Sequence, residues 1–493
     1  MIDASTLEYE FDEEGIGFGE PAEATAPPIS LGQRVAAALI GLGLLAFALV
    51  LAGQDLGSGW TALLGSFGLM AAGAVVWFYL DFKDTVPGIK HDGTFFRGVQ
   101  NRGLVGWGLG VLITGFYIVL YFYDDLQGMG MPAVLERPIR LLDPMAIALS
   151  GGEASRWFLY GFLYTMAVLV FGVRMLLKYR HNRYHRIRTL SVMGAQLVLA
   201  FLVPNLLKLF HQREFYFSYF WPLKPEYLFP RDLGDLWEAG GFAQFTLFWT
   251  VGLALVGVPI LTYYFGKRWY CSFVCGCGGL AETLGDPWRQ QSSKSTQAWK
   301  IERWMIHSVL IFIVLVTAGL WINSAQNGQL MGSWTSPYAK AYGFLVGAIF
   351  SGVVGVGFYP LLGNRVWCRF GCPQAAILGL LQRVFSRFRI TTNGGQCMSC
   401  GNCSTYCEMG IDVRAYAQRS ESIVRASCVG CGVCAAVCPR GVLKLENGLV
   451  GDRYEGSEIP LAALRASFQE PDIYGYSAWP APQSQTPGPV EAP

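Results

Sequence analysis

The sequence predicts a polytopic α-helical membrane protein of about eight spans that ends in a small α+β domain built around closely spaced cysteines. Three observations carry this. Of 493 residues, 52% are hydrophobic and only 15% charged, the balance of a membrane chain with a modest soluble part. Eight apolar stretches each approach the length of about 20 residues that a bilayer-spanning helix requires. Beyond the last of them, eight of the 13 cysteines fall in two runs of identical spacing. The net charge of +2 gives no footing for nucleic acid, and no nucleic-acid partner is expected.

Residues 1–32 begin with eight acidic side chains and no lysine or arginine before Pro27-Pro28, so they read as a disordered acidic tail. No basic n-region precedes the first apolar stretch, which speaks against a signal peptide. Spans one to five occupy 33–240, with helices expected at 35–53, 60–81, 103–123, 157–177 and 189–210. Spans six to eight follow within 241–390, at 242–265, 304–322 and 341–362. Glycines such as Gly65, Gly68 and Gly73, or Gly352, Gly355 and Gly357, are expected at helix contacts. Gly106-x-Gly108-x-Gly110 sits inside the third span and is not a nucleotide fingerprint.

The loops alternate in charge. Lys83, Lys90, Arg97 and Arg102 fill one; Lys178, Arg180, Arg183, Arg186 and Arg188 the next on that side; six basic residues fall in 266–303. The opposite loops carry none in 54–59, Arg137 and Arg140 in 124–155, and Lys340 alone in 323–340. The positive-inside rule then places both termini in the cytoplasm of a bacterial inner (cytoplasmic) membrane. Loop 211–241 mixes Arg213, Lys224 and Arg231 with five acidic residues. Its stretch Phe215 to Pro230 holds three Tyr, four Phe and one Trp, and reads as an interfacial aromatic belt.

A repeat follows spans six and eight. Arg268-Trp269-Tyr270-Cys271-x3-Cys275 and Arg365-Val366-Trp367-Cys368-x3-Cys372-Pro373 share Arg, x, aromatic, Cys, x3, Cys, and both emerge on the face that carries the later cysteines. Amphipathic stretches after each, Gly278 to Trp288 and Gln374 to Arg389, are expected to lie at the interface. Cysteines at i and i+4 share a helical face and suit a metal or cluster edge; the alternative is a structural or reactive thiol pair. In the first copy Cys275-Gly276-Cys277 replaces Cys-Pro, so either Cys275 or Cys277 is the candidate ligand.

Residues 391–448 carry the runs. Cys397, Cys400, Cys403 and Cys407 are spaced C-x2-C-x2-C-x3-C, and Cys428, Cys431, Cys434 and Cys438 repeat it, closed by Pro439. This is the spacing of a bacterial two-cluster ferredoxin-like domain, in which the fourth cysteine of each run serves the other [4Fe-4S] cluster. One set is then Cys397, Cys400, Cys403 and Cys438; the other is Cys428, Cys431, Cys434 and Cys407. A pair of zinc knots has no use for the triplet. Glu408 replaces the proline expected after Cys407, and a carboxylate there is expected to lower a cluster potential. Metal-type thiols need a reducing compartment. The remaining 449–493 is rich in proline and reads as a disordered tail.

At these residues the chain resembles the membrane polyferredoxin family. That family includes the quinol dehydrogenase subunit of periplasmic nitrate reductase systems, the electron-donating membrane protein of nitrous-oxide reductase and the accessory protein of cbb3-type oxidase assembly. The resemblance covers about 242–445 and rests on the Cys271/Cys275 and Cys368/Cys372-Pro373 loops followed by the double run. It departs in the missing first proline, and no covalent-flavin or immunoglobulin-type domain is recognisable. The resemblance implies an electron-transfer subunit of a respiratory oxidoreductase, linking membrane quinone to protein redox partner subunits through two [4Fe-4S] clusters. A third iron–sulfur centre on Cys271, Cys275 or Cys277, Cys368 and Cys372 would supply a four-thiolate set. His307, in the seventh span, is the weak quinone-site candidate, with Arg174, Gln196 and Asn205 behind it. The alternative reading is an accessory protein for assembly or metal loading of an oxidase, supported by Met129-Gly130-Met131, since thioethers suit Cu(I).

Overall fold

The computed structural model describes residues 29–54, 56–85, 87–88 and 103–448. The two expected tails, 1–32 and 449–493, lie outside these residues save for 29–32. There the structure differs from a tail. Ser30 caps a helix that starts at Leu31, its hydroxyl accepting from the Gln33 N–H at 3.2 Å while the Gln33 side chain accepts from the Ser30 N–H at 2.9 Å.

Among the described residues, eight helices are long and apolar enough to cross a membrane: Leu31–Ala52, Gly59–Lys83, Leu104–Tyr121, Arg156–Lys178, Arg183–Leu209, Gly241–Phe265, Thr296–Ala325 and Gly332–Val354. Each overlaps one expected span. Their outer faces expose large apolar side chains such as Leu104, Val111 and Leu112, which suits contact with lipid. Ala195–Leu202 and Leu253–Gly257 widen into π-helix just before Pro204 and Pro259, which lack the N–H and crowd the carbonyl four residues back. The glycines divide. A Cβ at Gly73 would stand 2.7 Å from the Ala36 carbonyl of the first span, and one at Gly352 would stand 2.6 Å from the Tyr121 ring, whereas Gly65 faces open space.

Two expectations about loops fail. The aromatic stretch 215–230 is drawn into the protein rather than lying at an interface: Phe215, Phe220, Tyr227 and Phe229 are buried. The Tyr270 hydroxyl donates to the Ser218 carbonyl at 2.9 Å, and Phe220 stacks on Trp269 with ring centres 6.0 Å apart. In the orientation expected from the loops, this segment re-enters from the far side to seal the first cysteine loop, because its rings find more contact there than at a bilayer edge. The second failure concerns the helix after that loop. Gly276–Glu282 is not interfacial but wedged between the fourth and fifth spans, with Gly276, Gly278, Gly279, Leu280, Ala281 and Glu282 all buried. Glycine permits this. A Cβ at Gly279 would lie 2.3 Å from Val192, and one at Gly278 would lie 2.0 Å from the Cys271 carbonyl. Its counterpart, Pro373–Phe385, buries one face and exposes Leu380 and Val384, closer to the amphipathic expectation.

The C-terminal domain is α+β. Strands β1 (Phe388–Thr392) and β2 (Leu443–Asn447) pair antiparallel, with Phe388 opposite Asn447 and Thr392 opposite Leu443. Between them two one-turn helices, Asn402–Thr405 and Val433–Ala436, occupy equivalent places in the two cysteine runs. This domain is docked rather than tethered: one hydrophobic core runs from Val258, Ile313 and Val316 of the spans, past Cys271, Trp367 and Cys372, to Ile390, Ile411 and Val429.

Candidate functional site

The two runs fold alike. Between the second and third cysteine of each, Gly401 (φ 78°) and Gly432 (φ 81°) take the left-handed conformation that glycine adopts without a Cβ clash. Each then caps its one-turn helix. Folding back this way, the structure brings together Cys397, Cys400, Cys403 and Cys438 around one small cavity, and Cys407, Cys428, Cys431 and Cys434 around another. These are the crossed sets of the spacing argument.

The sets differ in exposure. Cys400 is exposed, so the first set faces outward, whereas Cys428 and Cys434 are buried against the membrane part. The Tyr184 hydroxyl donates to the Gly430 carbonyl at 2.6 Å, Ser272 Oγ to the Val429 carbonyl at 2.8 Å, and Gln382 Nε2 to the Cys428 carbonyl at 2.9 Å. Gln382 Oε1 also accepts from the Lys267 N–H at 2.7 Å, so one amide pins the second set to the first cysteine loop. Burial pushes the Cys403 and Cys428 thiols up to about 11. A thiol shifted upward gives up its proton only in exchange for a metal.

The loops of the internal repeat superimpose in their hydrogen bonds. The Cys275 N–H donates to the Tyr270 carbonyl at 2.8 Å, as the Cys372 N–H does to the Trp367 carbonyl at 2.9 Å. Each of these cysteines then stands at the N-cap of the next helix, and the Ala375 N–H donates to the Cys372 sulfur at 3.4 Å. Cys275 is therefore the counterpart of Cys372, Gly276 of Pro373, and Cys277 of Gln374. Cys271, Cys275, Cys368 and Cys372 are all buried in the same core, within electrostatic reach of one another, and burial pushes Cys271 up to about 12. Arg365 NH1 donates to Cys368 Sγ at 3.7 Å.

A largely buried ion network links these thiols to the second set. Arg188 and Arg365 pair with Glu282 at 3.1 and 2.7 Å; Arg365 and Arg289 pair with Glu408 at 2.9 and 2.7 Å. Arg289 also meets Asp286 at 3.3 Å, which takes Arg174 at 2.8 Å and Lys178 at 2.7 Å. Burial would push the Glu408 carboxyl up, but Arg289, Arg365 and Arg188 outweigh it and hold it at about 2. Glu408 is thus not the bare carboxylate expected from the sequence. Five cations against three carboxylates leave the network net positive, as suits a neighbour of thiolate-bound iron.

A cavity of about 1940 Å³ opens among the charged residues of 208–238 and Lys340, and narrows to Tyr121, Tyr160, Tyr164, Tyr219, Gln196 and Cys277. His307 is half-buried on its helix and does not line it. Arg174 is engaged with Asp286, and the Asn205 amide donates to the Phe201 carbonyl at 2.7 Å. Met129 is exposed while Met131 packs on the N-terminal core, so the two thioethers do not face one site. The sequence reading missed Arg188, Glu282, Arg365 and Gln382. Arg188 was legible only as loop charge, and Glu282 as the polar side of an amphipathic stretch.

Among the described residues no three His, Cys, Asp or Glu side chains stand close enough to hold a single metal ion. Zinc, with bonds of about 2.3 Å, would draw its sulfurs to about 3.8 Å apart. In each set three cysteines of one run and the fourth of the other ring one small cavity, which fits the ligand set of a [4Fe-4S] cluster. A 4Fe-4S dicluster domain matches residues 396–443, and a 4Fe-4S binding domain matches twice, at 248–294 and 343–391, once around each Cys-x3-Cys loop. In these parts the chain is similar to membrane ferredoxin-type proteins. It is 28% identical over 167 residues to the methylamine utilization ferredoxin-type protein MauN of Paracoccus denitrificans, covering 31% of this chain and 54% of that protein. It is 28% identical over 182 residues to the ferredoxin-type protein NapH of Escherichia coli, covering 36% and 60%. To the putative electron transport protein YccM of Escherichia coli it is 25% identical, covering 30% and 43%. The chain thus spans about half the length of these curated relatives, and no solved structure matches it. Spans one to five lie outside both family matches.

Proposed function

We propose that this chain relays electrons between the membrane quinone pool and a protein redox partner, as the electron-transfer subunit of a quinol dehydrogenase type oxidoreductase. The observation that carries the reading is that three thiol sets share one core: Cys271, Cys275, Cys368 and Cys372, whose loop neighbours Cys277 and Trp367 line the cavity; the second set, joined to the first loop through Gln382; and the first set, with Cys400 exposed. Cys397, Cys400, Cys403 and Cys438 would hold one [4Fe-4S] cluster, Cys428, Cys431, Cys434 and Cys407 the next, and the repeat a third centre. Cys275 rather than Cys277 completes that third set, because Cys275 occupies the place of Cys372. When bound, such clusters pass single electrons, which suits the division of the two that a quinol yields.

The chain's own residues do the positioning. Gln382 fixes the spacing between the first loop and the second set, Arg365 donates to a thiolate sulfur, and the cation excess stabilises added negative charge. The exposed set around Cys400 offers the partner its approach. The charge of the loops supports an inner-membrane protein with both termini in the cytoplasm. Anaerobic purification followed by a quinol and then dithionite tests the reading. Visible absorbance of the clusters should bleach with quinol or reoxidise with quinone; clusters that respond to dithionite and to neither quinone form would refute it.

A further inference from the structure

The inner end of the large cavity holds a group without a partner. Gln196, only 4% exposed, lines that end and donates through Nε2 to Thr165 Oγ1 at 3.1 Å, which leaves its Oε1 against Gly276. That oxygen accepts no hydrogen bond from the protein. It points at Gly276: a Cβ there would stand 2.6 Å from Oε1, 3.6 Å from the Tyr164 ring and 3.7 Å from the Tyr219 hydroxyl. The second half of the repeat has Pro373 at this place, so this close approach of an unpartnered acceptor to the backbone exists only in the first half, beside Cys277.

We infer that this inner end binds the head group of a reduced quinone, one hydroxyl of which donates to Gln196 Oε1 from the side of Tyr164 and Tyr219. The inference rests on the quinone reading above and adds to it a place and a redox form. A buried acceptor without a donor is costly, and a ligand that brings an O–H relieves it. Quinol carries two such groups; quinone carries only acceptors. Tyrosine hydroxyls both donate and accept, so Tyr164 and Tyr219 serve the second oxygen in either form. The walls of Tyr121, Tyr160, Trp157 and Trp367 supply the apolar, aromatic surface that small-molecule sites use to hold a flat ring. At about 1940 Å³ the whole cavity exceeds the roughly 300–1,000 Å³ of such sites, so the head group occupies the narrow end and leaves room for a chain behind it.

The test uses full-length protein with its clusters, a short-chain ubiquinol analogue kept reduced, and its oxidised form. Anaerobic equilibrium dialysis reads binding, and bleaching of cluster absorbance reads electron entry. Wild type should bind the quinol more tightly than the quinone. Gln196→Leu should weaken quinol binding about five- to tenfold, remove the preference for the reduced form, and leave iron content and dithionite bleaching unchanged. Gly276→Ala should do the same by displacing Oε1. If that variant loses iron through its neighbour Cys275, Tyr164→Phe replaces it, with a several-fold loss expected. Quinol that binds equally to wild type and Gln196→Leu overturns this site while cluster bleaching by quinol leaves the relay standing. Wild-type clusters that quinol never bleaches, with quinol still bound in a Gln196-dependent way, would instead overturn the relay and keep the site.

Discussion

Glu408→Gln removes one charge from the buried network at almost constant shape. The carboxylate is fully enclosed, 2.7 Å from Arg289 and 2.9 Å from Arg365. Both guanidinium groups keep another partner, Asp286 at 3.3 Å and Glu282 at 2.7 Å, so neither is stranded. Five cations then face two carboxylates instead of three. Removing one member of a buried pair costs about 3–5 kcal/mol, and the shared partners put this case at the lower end. At about 1 °C per kcal/mol for a chain of this length, the apparent unfolding midpoint of the purified protein should fall by about 3 °C. The sign with pH follows from the lowered carboxyl. Its stabilisation is complete above the unfolded value of about 4.3 and is lost as pH falls through about 2, so the deficit of the variant stays constant from about pH 5 to 8. Loss of a negative charge also raises the potential of the adjoining second cluster. Differential scanning fluorimetry and a redox titration followed by EPR measure both. A variant with an unchanged midpoint and an unchanged potential would refute the view that Glu408 is a charged member of the network.

Four further outcomes are expected. Cys438→Ala should abolish the cluster otherwise built from the first run, and Cys407→Ala the one built from the second, by EPR; loss confined to each cysteine's own run would contradict crossed ligation. Iron analysis should give about twelve atoms per chain, falling to about eight in Cys368→Ala and holding near twelve in Cys277→Ala. Gly278→Ala drives a Cβ to 2.0 Å from the Cys271 carbonyl and should bring the count to about eight without touching a thiol. An impermeant maleimide applied to intact cells should leave Cys400 of the apo-protein unlabelled and label it after permeabilisation; labelling from outside would invert the topology.

The spans were legible because about 20 apolar residues in a row have few other fates, and the eight ferredoxin-type cysteines because their spacing is so specific. The choice between Cys275 and Cys277 was not legible. It depends on which residue receives the Tyr270 turn and caps the helix, a matter of backbone hydrogen bonds. The stretch 215–230 was misread for a related reason: composition registers that aromatic rings are numerous, not whether Phe220 meets lipid or Trp269. Glu408 looked like a lone charge beside a cluster because its partners, Arg289 and Arg365, lie far from it along the chain. Long-range pairing of this kind leaves no periodic trace.

The buried network also dictates an order of biogenesis. Arg174, Lys178 and Arg188 belong to the fourth and fifth spans and leave the ribosome well before Glu282, Asp286, Arg365 and finally Glu408. Chains emerge N-terminus first at about 5–20 residues per second, so for several seconds these cations wait at the membrane edge with only water and head groups for company. The first acids to reach them ride on the wedge Gly276–Glu282 and the turn after it. The last comes with the ferredoxin-like domain. Closure of the lock therefore waits for Glu408, and a half-chain starting at span six would lack Arg174, Lys178 and Arg188, leaving Glu282 with Arg365 alone and Asp286 with Arg289 alone.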